Sequence, residues 1–432
     1  MLRIITQRME AESELRRISN RMFDDQVFHK EATVTEVLQA VRRQGDEAVV
    51  RYTTEFDQVD LTPSEFRVSG AELDAAFQQV KGDLLRAIEL AHSRIVEFHQ
   101  KQLPQSWVSF DDQRDVVLGK RYTPVDAAGI YVPGGKASYP STVLMNAVPA
   151  IVAGVKRVVM VTPPGREKML NPAILVAAQV AGVEEIYRVG GAQAIAALAF
   201  GTTTIPPVNI ITGPGNIYVT LAKKQVFGHV GIDSLAGPSE VLVIADETAH
   251  PRFVAADLLA QAEHDSLAAA ILITTSSRLA QEVNEEVMRQ IEHHPRRILT
   301  EKAIANYGAS IIVANLTEAA DLSNQFAPEH LQLEIEEPWE LLSQIRHAGA
   351  IFCGHFTPEA VGDYLAGPNH TLPTSGAARY ASPLSTETFM KHSSIVQYGA
   401  AALAEVSEAI ALLTDAEGLP SHGNSVRLRQ QP

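Results

Sequence analysis

The sequence predicts an α/β protein with two successive blocks of parallel sheet. From Val125 to Asp246, short strands rich in β-branched residues alternate with helices of about ten residues, a pattern typical of βαβ units. The alternation resumes near Ala268 and ends at the strand "AGAIFCG". Because the two blocks are alike, we expect two related sheets that arose by duplication, although no clear residue-level repeat supports it.

The elements of the first block follow from local patterns. "AAGIYVPGG" predicts a strand that runs into a Gly-rich turn, and "STVLMNAVPAIVAG" predicts a helix that begins near Ser141. The strands that follow are "RVVMVTPP", "EEIYRVGG", "VNIITGPG" and "SEVLVIAD". The helices between them are "NPAILVAAQVAG", "AQAIAALAFG" and "NIYVTLAKKQVFG".

The rest of the chain is mostly helical or continues the alternation. Helical periodicity covers most of the chain before Trp107, and a strand-like segment follows, through Val117. The second block contains the strands "AAAILITTS" and "ASIIVANL", with the helices "HPRFVAADLLAQAEH", "SRLAQEVNEEVMRQIEHH" and "TEAADLSNQFA". The C-terminal helix "AALAEVSEAIALLTDAEG" and the polar tail after it are of a kind that often docks on a partner subunit.

Composition limits the class of protein. A chain of 432 residues exceeds what one hydrophobic core usually organises, so we expect two or more domains. The net charge of −15 argues against a nucleic-acid partner, which normally requires a basic surface. Cys353 is the single cysteine and excludes an intrachain disulfide. Neither a signal peptide nor a membrane span is predicted, so we expect a cytoplasmic protein.

Three Gly-rich turns follow predicted strands of the first block. They are "VPGGK" at 132–136, "VGGAQ" at 189–193 and "TGPGN" at 212–216. Such turns at the carboxyl edge of a parallel sheet, each before a helix, suit the binding of a phosphate group. Glycine also simply permits a tight turn, and neither common nucleotide fingerprint is present. A dinucleotide site is therefore plausible and stays open at this point.

The stretch "LLAQAEHD" puts polar residues into an otherwise apolar helix. Helical geometry places Gln261, His264 and Asp265 on one face, with Asp257 extending the stripe and Glu263 pointing elsewhere. A solvated polar face explains a single stripe of this kind, and a pair of metal ligands explains it as well. The segment alone favours the solvated face.

A second group of polar residues is rich in histidine. Glu329 and His330 are adjacent after a predicted helix, where a Glu–His couple could abstract a proton and direct a water molecule. "PEAVGDYLAGPNHTLPT" adds Asp363 and His370, and "EGLPSH" adds Glu417 and His422. Ligands gathered from distant segments leave no spacing signature, so surface polar residues remain the alternative. The residues by themselves support an α/β enzyme whose reaction stays open.

Long blocks of the chain resemble the histidinol dehydrogenase family in order and spacing. They are "AGIYVPGGKASYPSTVLMNAVPA", "VGGAQAIAALAFGT", "GPGNIYVTLAK", "LAGPSEVLVIAD", "DLLAQAEHD", "APEHLQLE", "GDYLAGPNHTLPTSGAAR" and "EGLPSH". The family oxidises L-histidinol to L-histidine through an aldehyde, with two NAD+ and zinc, as the final step of histidine biosynthesis. The resemblance implies the same activity here, with one Zn²⁺ per subunit.

The resemblance also implies roles for particular residues. The implied zinc ligands are Gln261, His264, Asp363 and His422, the last supplied by the partner subunit of an intertwined homodimer. Glu329 and His330 become the catalytic pair. His330 would take the hydroxyl proton, and Glu329 would activate the water that attacks the aldehyde.

Cofactor and substrate contacts are implied in the same way. Tyr131, Gln193 and Asn216 match the family's NAD positions, on or beside the three Gly-rich turns. Ser239 and Glu417 match substrate contacts, and Glu417 suits the ammonium group of histidinol. The implied substrate site also includes His330 and the four zinc ligands.

The family's fold implies two incomplete Rossmann-like domains and a small helical tail formed by both termini. We expect an N-terminal helical tail over 1–24 and a first domain, with the zinc and catalytic residues, over 25–131 and 241–384. We expect a second domain on the NAD side over 132–240 and a C-terminal helical tail over 385–432 that reaches the partner. The alternatives are a related zinc and NAD dehydrogenase for another small alcohol, such as a sulfonated diol, or a non-catalytic duplicate.

Overall fold

The computed structural model describes residues 1–21, 26–111, 113–134 and 139–430. The strands are β1 Arg3–Ile5, β2 Trp107–Asp111, β3 Val116–Pro124, β4 Ala127–Tyr131, β5 Arg157–Val161, β6 Glu185–Tyr187, β7 Ile210–Thr212, β8 Gly231–Ile232, β9 Glu240–Ala245, β10 Ala269–Thr274, β11 Gly308–Ile312, β12 His330–Glu334, β13 Ala350–Cys353 and β14 Met390–Tyr398. They form two parallel sheets and one small antiparallel sheet.

Helices cover both parallel sheets. They are α1 Arg8–Ser19, α2 Gln26–Gln44, α3 Asp46–Tyr52, α4 Gly70–Gln79, α5 Gly82–Gln100, α6 Pro140–Val152, α7 Pro172–Val180, α8 Gly191–Phe200, α9 Ile217–Val226, α10 Pro251–Ala262, α11 Ser277–Ile291, α12 Arg297–Tyr307, α13 Leu316–Phe326, α14 Pro338–Leu342, α15 Glu359–Tyr364, α16 Ala400–Ala416 and α17 Pro420–Leu428. A π-helical turn at Thr53–Asp57 extends α3, and short 3₁₀ turns lie at Pro63–Glu65, Ala377–Arg379 and Thr386–Phe389.

The larger sheet has six parallel strands in the order β1-β11-β10-β9-β12-β13. Every residue of β9, β10 and β12 is buried, as expected when helices cover both faces of a parallel sheet. Helices α10, α11 and α12 supply the core on one face, and α1, α13 and α14 supply it on the other. The register places His330 beside Val241 and Ala350, so the amino ends of β9, β12 and β13 lie together.

The second parallel sheet has five strands in the order β6-β5-β4-β7-β8. Helices α2, α3, α8 and α9 pack on one face, and α4 to α7 pack on the other. Asn171 and Asn216 cap α7 and α9 through their side-chain oxygens, which explains where these helices begin. This sheet therefore has a complete hydrophobic core of its own.

A small antiparallel sheet and two helices complete the described chain. The sheet has the order β14-β3-β2, and β14 pairs with β3 along all nine of its residues. Helices α16 and α17 follow β14, and most of their residues are exposed. None of the helices described is both long and apolar enough to cross a membrane.

The predicted α/β class, the two parallel sheets and the helical C-terminal region are confirmed. The grouping of the chain differs from the expected domain boundaries in two places. Strand β1 hydrogen-bonds to β11, so residues 3–19 belong to the six-stranded sheet instead of a separate tail. Residues 30–100 and β4 pack with the five-stranded sheet and were expected with the other one.

Several elements lay outside the sequence expectations, among them strand β12, which begins at His330 where no strand was predicted. Strand β1 has only three residues, too few for a period-two pattern to show. Strand β14 carries "MKHSSIVQY", whose mostly exposed side chains lack a clear apolar alternation. Helix α12 lies in "RILTEKAIANY", for which no element was predicted. Each of these elements depends on a partner elsewhere in the chain, which a local pattern does not reveal.

Gly213 offers a test of the turn after β7. Its φ is +110°, and a Cβ there would overlap the carbonyl oxygen of Tyr131. We expect Gly213→Ala to lower the free energy of unfolding by about 3 kcal/mol, from backbone strain and the overlap together. Gly228→Ala is the matched control, because its φ is +98° and no atom lies within 4 Å of the added Cβ. The free energy of unfolding is measured by thermal unfolding. Equal losses in the two variants would show that the overlap with the Tyr131 carbonyl oxygen adds no cost.

Candidate active site

A cavity of about 700 Å³ lies where the two parallel sheets approach each other. One wall comes from the amino ends of β9 and β12, and the other comes from the turn after β7 and the start of α9. Ser239, Glu329 and His330 line the first wall, and Asn216 lines the second. The amino edge of one sheet thus faces the carboxyl edge of the other across the cavity.

His330 has a defined tautomer in this wall. Its Nδ1 lies 3.0 Å from the backbone carbonyl oxygen of Glu240. Since a carbonyl can only accept, Nδ1 donates the proton and Nε2 keeps the lone pair. Nε2 has no hydrogen-bond partner among the described residues. Burial lowers the pKa of His330 to about 3, and His264 and His370 contribute, so the ring is neutral.

Glu329 is buried beside this histidine. Its Oε2 accepts a hydrogen bond of 2.9 Å from the backbone N–H of Glu240 and lies 3.7 Å from Nδ1 of His330. Burial raises the pKa of Glu329 well above its usual range, and the carboxyl groups of Glu240 and Asp363 add to the rise. The Glu240 N–H and Arg21 oppose it. A carboxylate with a raised pKa is a stronger base, which suits the activation of a water molecule.

Helix α15 brings two carboxyl groups to the free nitrogen of His330. Oε1 of Glu359 lies 3.6 Å from Nε2, and Oδ1 of Asp363 lies 3.9 Å from it. The three groups could hold a metal ion, because their ligand atoms all lie within 4.8 Å of one another. Burial raises the pKa of Asp363 to about 7. Sequence analysis missed Glu359, although its position four residues before Asp363 puts both on one helical face.

The polar residues of "LLAQAEHD" separate at the end of α10. The helix ends at Ala262, so Gln261 lies in it and His264 lies in the turn beyond it. Gln261 is fully buried, its nitrogen is 3.4 Å from Nδ1 of His330, and its Oε1 has no partner among the described residues. His264 lines the cavity. Glu263 faces His294 at 3.5 Å and points away from the site.

Asp265 and His370 also border this cavity. Asp265 accepts a hydrogen bond from the backbone of Leu267, 2.9 Å away, and so braces the turn that carries His264. His370 donates from Nδ1 to the backbone carbonyl of Asp363, 3.1 Å away. The predicted residues Gln261, His264 and Asp363 are therefore brought around the predicted catalytic pair.

The three predicted NAD residues divide into two groups. Asn216 lines the cavity and caps α9. Tyr131 and Gln193 are buried and are not among the described residues that line the cavity. The hydroxyl of Tyr131 accepts from the Gly191 N–H at 3.2 Å, and Gln193 donates to Asp57 at 3.2 Å. Residues 135–138, which end the first Gly-rich turn, lie outside the described residues.

Sequence analysis also missed Asp57. It lies at the end of the π-helical turn, beside Gln193, and burial raises its pKa to about 6. No local motif identifies this residue, because it reaches the carboxyl edge of the five-stranded sheet only through the packing of α3. The structure thus places a third polar group beside two of the predicted NAD residues.

Two predicted residues lie away from this cavity. Glu417 follows α16 and His422 lies in α17; both are exposed, and neither belongs to the described lining. Large apolar side chains are exposed on the same two C-terminal helices and on the antiparallel sheet, among them Leu412, Leu413, Leu428, Phe110, Trp107 and Val396. A surface of this composition is typical of an interface with another chain.

Comparison with known proteins places this site in a family. The family model for histidinol dehydrogenase matches residues 20–430. The chain belongs to the histidinol dehydrogenase family. It is 68% identical over 431 residues to histidinol dehydrogenase of Gloeobacter violaceus, covering 100% of this chain and 97% of that protein. It is 65% identical over 432 residues to histidinol dehydrogenase of Thermosynechococcus vestitus, covering both chains fully.

A solved structure agrees with the family at the level of the fold. The crystal structure of histidinol dehydrogenase from Elizabethkingia anophelis superposes with a TM-score of 0.92 and 38% identity. The match covers 99% of this chain and 98% of that chain. The predicted resemblance is therefore confirmed.

The neutral form of His370 gives a pH-dependent prediction for this family member. Burial lowers the pKa of His370 to about 4, whereas a histidine in the unfolded chain titrates near 6.5. The contribution of the neutral His370 ring to the free energy of unfolding is therefore present above pH 6.5. It is lost as the pH falls toward 4, because the unfolded chain takes up the proton first. The stability difference between wild type and His370→Asn should shift by about 2 kcal/mol between pH 7 and pH 5. Denaturant unfolding at both pH values measures it, and a constant difference would contradict the buried neutral ring.

Proposed function

We propose that the protein is a zinc- and NAD+-dependent L-histidinol dehydrogenase. It would oxidise L-histidinol to L-histidine through L-histidinaldehyde, reducing two NAD+, at the end of histidine biosynthesis in the cytoplasm. The observation that carries the proposal is the convergence of Glu329, His330, His264 and Asp363 on one cavity, with Gln261 packed beside His330, in a member of this family.

The residues around His330 fit a zinc ion. Gln261 presents a buried oxygen without a partner, Asp363 presents a carboxylate, and His264 presents an imidazole to the cavity. Gln261 adds no charge, so the site would be more cationic than one built from carboxylates alone. A bound Zn²⁺ would anchor the imidazole and amine of histidinol and polarise its hydroxyl group. The fourth proposed ligand is the partner's His422.

His330 is suited to remove the hydroxyl proton. Its tautomer leaves Nε2 as the free base, held in place because Nδ1–H is bound to the Glu240 carbonyl. Proton removal would assist the loss of hydride from the carbinol carbon to NAD+. Once the ring has released this proton to solvent, the same lone pair can serve in the second oxidation.

Glu329 is suited to activate water in the aldehyde step. Its carboxyl group borders the cavity and is held by the Glu240 N–H. A cysteine nucleophile is the usual alternative for aldehyde oxidation. Cys353 is not among the described residues that line the cavity, and burial raises the pKa of its thiol, so a reactive thiolate is disfavoured. We therefore propose a water-based second step.

The dinucleotide would occupy the carboxyl edge of the five-stranded sheet. Asn216 lines the cavity there. The hydroxyl of Tyr131 accepts a hydrogen bond from the second Gly-rich turn, and the side chain of Gln193 packs against that turn. Parallel sheets of this kind commonly bind nucleotides at that edge. We propose that Ser239, which lines the opposite wall, contacts the substrate.

We also propose an intertwined homodimer with a shared active site. Glu417 and His422 lie on a surface with exposed Leu412, Leu413 and Leu428, remote from their own chain's cavity lining. Docking of this surface on a second copy would bury the apolar side chains and could deliver both polar ones to the partner's cavity. The partner's Glu417 would then meet the substrate ammonium group.

The activity test uses purified protein, L-histidinol and NAD+. We expect two NADH per histidinol, loss of turnover after chelation, and recovery when Zn²⁺ is added. Asp363→Ala should retain less zinc in metal analysis, with turnover reduced at least about 10²-fold. The control is Glu301→Ala, an exposed residue on α12. Failure of the zinc-loaded wild type to oxidise histidinol would refute the proposed function.

The shared site predicts complementation between two inactive variants. A heterodimer of His422→Ala and Glu329→Ala subunits has one site with neither substitution only if His422 serves the partner. Random mixing should then restore about one quarter of wild-type activity, because half the dimers are mixed and each has one working site. Subunit exchange is verified with differently tagged chains. Full exchange without recovered activity would show that His422 acts within its own chain.

A further inference from the structure

The backbone of a single residue, Glu240, holds both residues of the proposed catalytic pair. The backbone N–H of Glu240 donates to Oε2 of Glu329 at 2.9 Å, and the Glu240 carbonyl accepts from Nδ1 of His330 at 3.0 Å. Glu240 is the first residue of β9, so its backbone stands at the cavity edge of the sheet. Any rotation of this residue would move the carboxylate and the imidazole together.

The side chain of Glu240 is anchored by a buried ion pair. Its Oε1 lies 2.9 Å from Nη1 of Arg21, and the two side chains are 0% and 1% exposed. Glu240 points into the protein at the same residue whose backbone orients Glu329 and His330. The ion pair therefore adjoins the catalytic pair, and Arg21 also borders the cavity.

Arg21 is fixed by further bonds to main-chain oxygens. Its guanidinium donates to the carbonyls of Ile18 at 2.7 Å, Leu267 at 2.7 Å, Pro238 at 2.9 Å and Ser239 at 3.4 Å. These bonds tie the end of α1 to the segments that precede β9 and β10. The planar fork of an arginine can serve several acceptors at once, which a lysine cannot do.

Stability alone does not explain this pair. A buried ion pair contributes little net stability relative to apolar residues of similar size, because both charges lose their hydration. Arg21 is also the cation that opposes the rise in the pKa of Glu329. The ion pair holds the residue whose backbone binds Glu329 and His330. The Arg21–Glu240 pair can therefore act on catalysis as well as on folding.

We propose that Arg21 and Glu240 are positioning residues that fix the orientation of Glu329 and the tautomer of His330. The proposal rests on the proposed function for the roles of those two residues. Without the anchor, the first residue of β9 can rotate, and the imidazole loses the carbonyl that holds its proton on Nδ1. Both oxidation steps would then slow, because each uses one of the oriented groups.

The test compares Arg21→Met, Arg21→Lys and Glu240→Gln. We expect Arg21→Met and Glu240→Gln to lower kcat by about ten- to hundred-fold, with a smaller change in the KM for L-histidinol. Arg21→Lys keeps the charge opposite Glu240 and should recover part of the loss. If Arg21→Met fails to fold, the other two variants still decide the question.

The matched control is Arg157→Met. Arg157 pairs with Glu185 at 2.9 Å, both about one-quarter exposed, at the amino edge of the five-stranded sheet, outside the described cavity lining. Its loss should lower the melting temperature and leave kcat unchanged. A merely structural role for Arg21 predicts the same behaviour, so a folded Arg21→Met protein with wild-type kcat would overturn the proposal.

A spectroscopic measurement separates this proposal from the proposed function. Nitrogen-15 NMR of histidine-labelled protein, assigned with His330→Gln, should show the Nδ1–H tautomer in wild type and a mixture of tautomers in Arg21→Met. An unchanged tautomer of His330 in folded Arg21→Met would overturn the proposal that Arg21 fixes it. If wild type does not oxidise histidinol, the proposed function fails, and the tautomer measurement still decides whether Arg21 positions His330.

Discussion

Desolvation of charged groups at the amino edge of the six-stranded sheet is the constraint on which the rest of the site depends. Burial raises the pKa values of Glu329 and Asp363 and lowers that of His330. Groups in this state must find hydrogen bonds or opposite charge inside the protein. The Glu240 peptide and the Arg21 side chain meet part of that need. Among the described residues, the buried polar atoms left without a partner here include Gln261 Oε1, His330 Nε2 and Glu359 Oε2, and these are available to a metal ion or a substrate.

The two parallel sheets contribute different groups to the cavity, because they present opposite edges to it. The five-stranded sheet presents its carboxyl edge, where the turns after its strands carry glycine and Asn216 caps the next helix. The six-stranded sheet presents its amino edge, where backbone N–H groups at strand starts are free to bind side chains such as Glu329. A site between them combines a wall suited to phosphate with a wall suited to acid–base chemistry. Neither sheet alone supplies both.

Local sequence patterns predicted the long, apolar elements well, because strands such as "EVLVIA" and "AAILIT" are buried on both faces and their composition shows it. The resemblance to the family supplied the candidate residues from distant segments. Glu359, Asp57 and the Arg21–Glu240 pair were missed. Arg21 and Glu240 are 219 residues apart, and nothing in either local pattern indicates that they meet. Contacts of this kind exist only after the sheet has assembled.

The polar stripe of α10 shows how an ambiguous pattern is decided by its packing partner. Strand β12 turns His330, Gln332 and Glu334 toward the helix, because alternate residues of a strand share a face. Gln332 donates to Asp257 at 2.9 Å, and Gln261 lies beside His330. The solvated-face interpretation therefore fails for Gln261.

The far end of this polar face is a pair of carboxyl groups. Burial raises the pKa of Glu334 to about 9, and the neighbouring Asp257 adds to the rise. A Glu334 carboxyl group that keeps its proton at neutral pH removes one buried charge beside Asp257. Because Asp257 lies one turn before Gln261, its hydrogen bond from Gln332 holds α10 against β12 next to Gln261. Of the residues that looked like a surface stripe, Asp257 and Gln261 thus pack against β12, whereas His264 and Asp265 are exposed at the cavity.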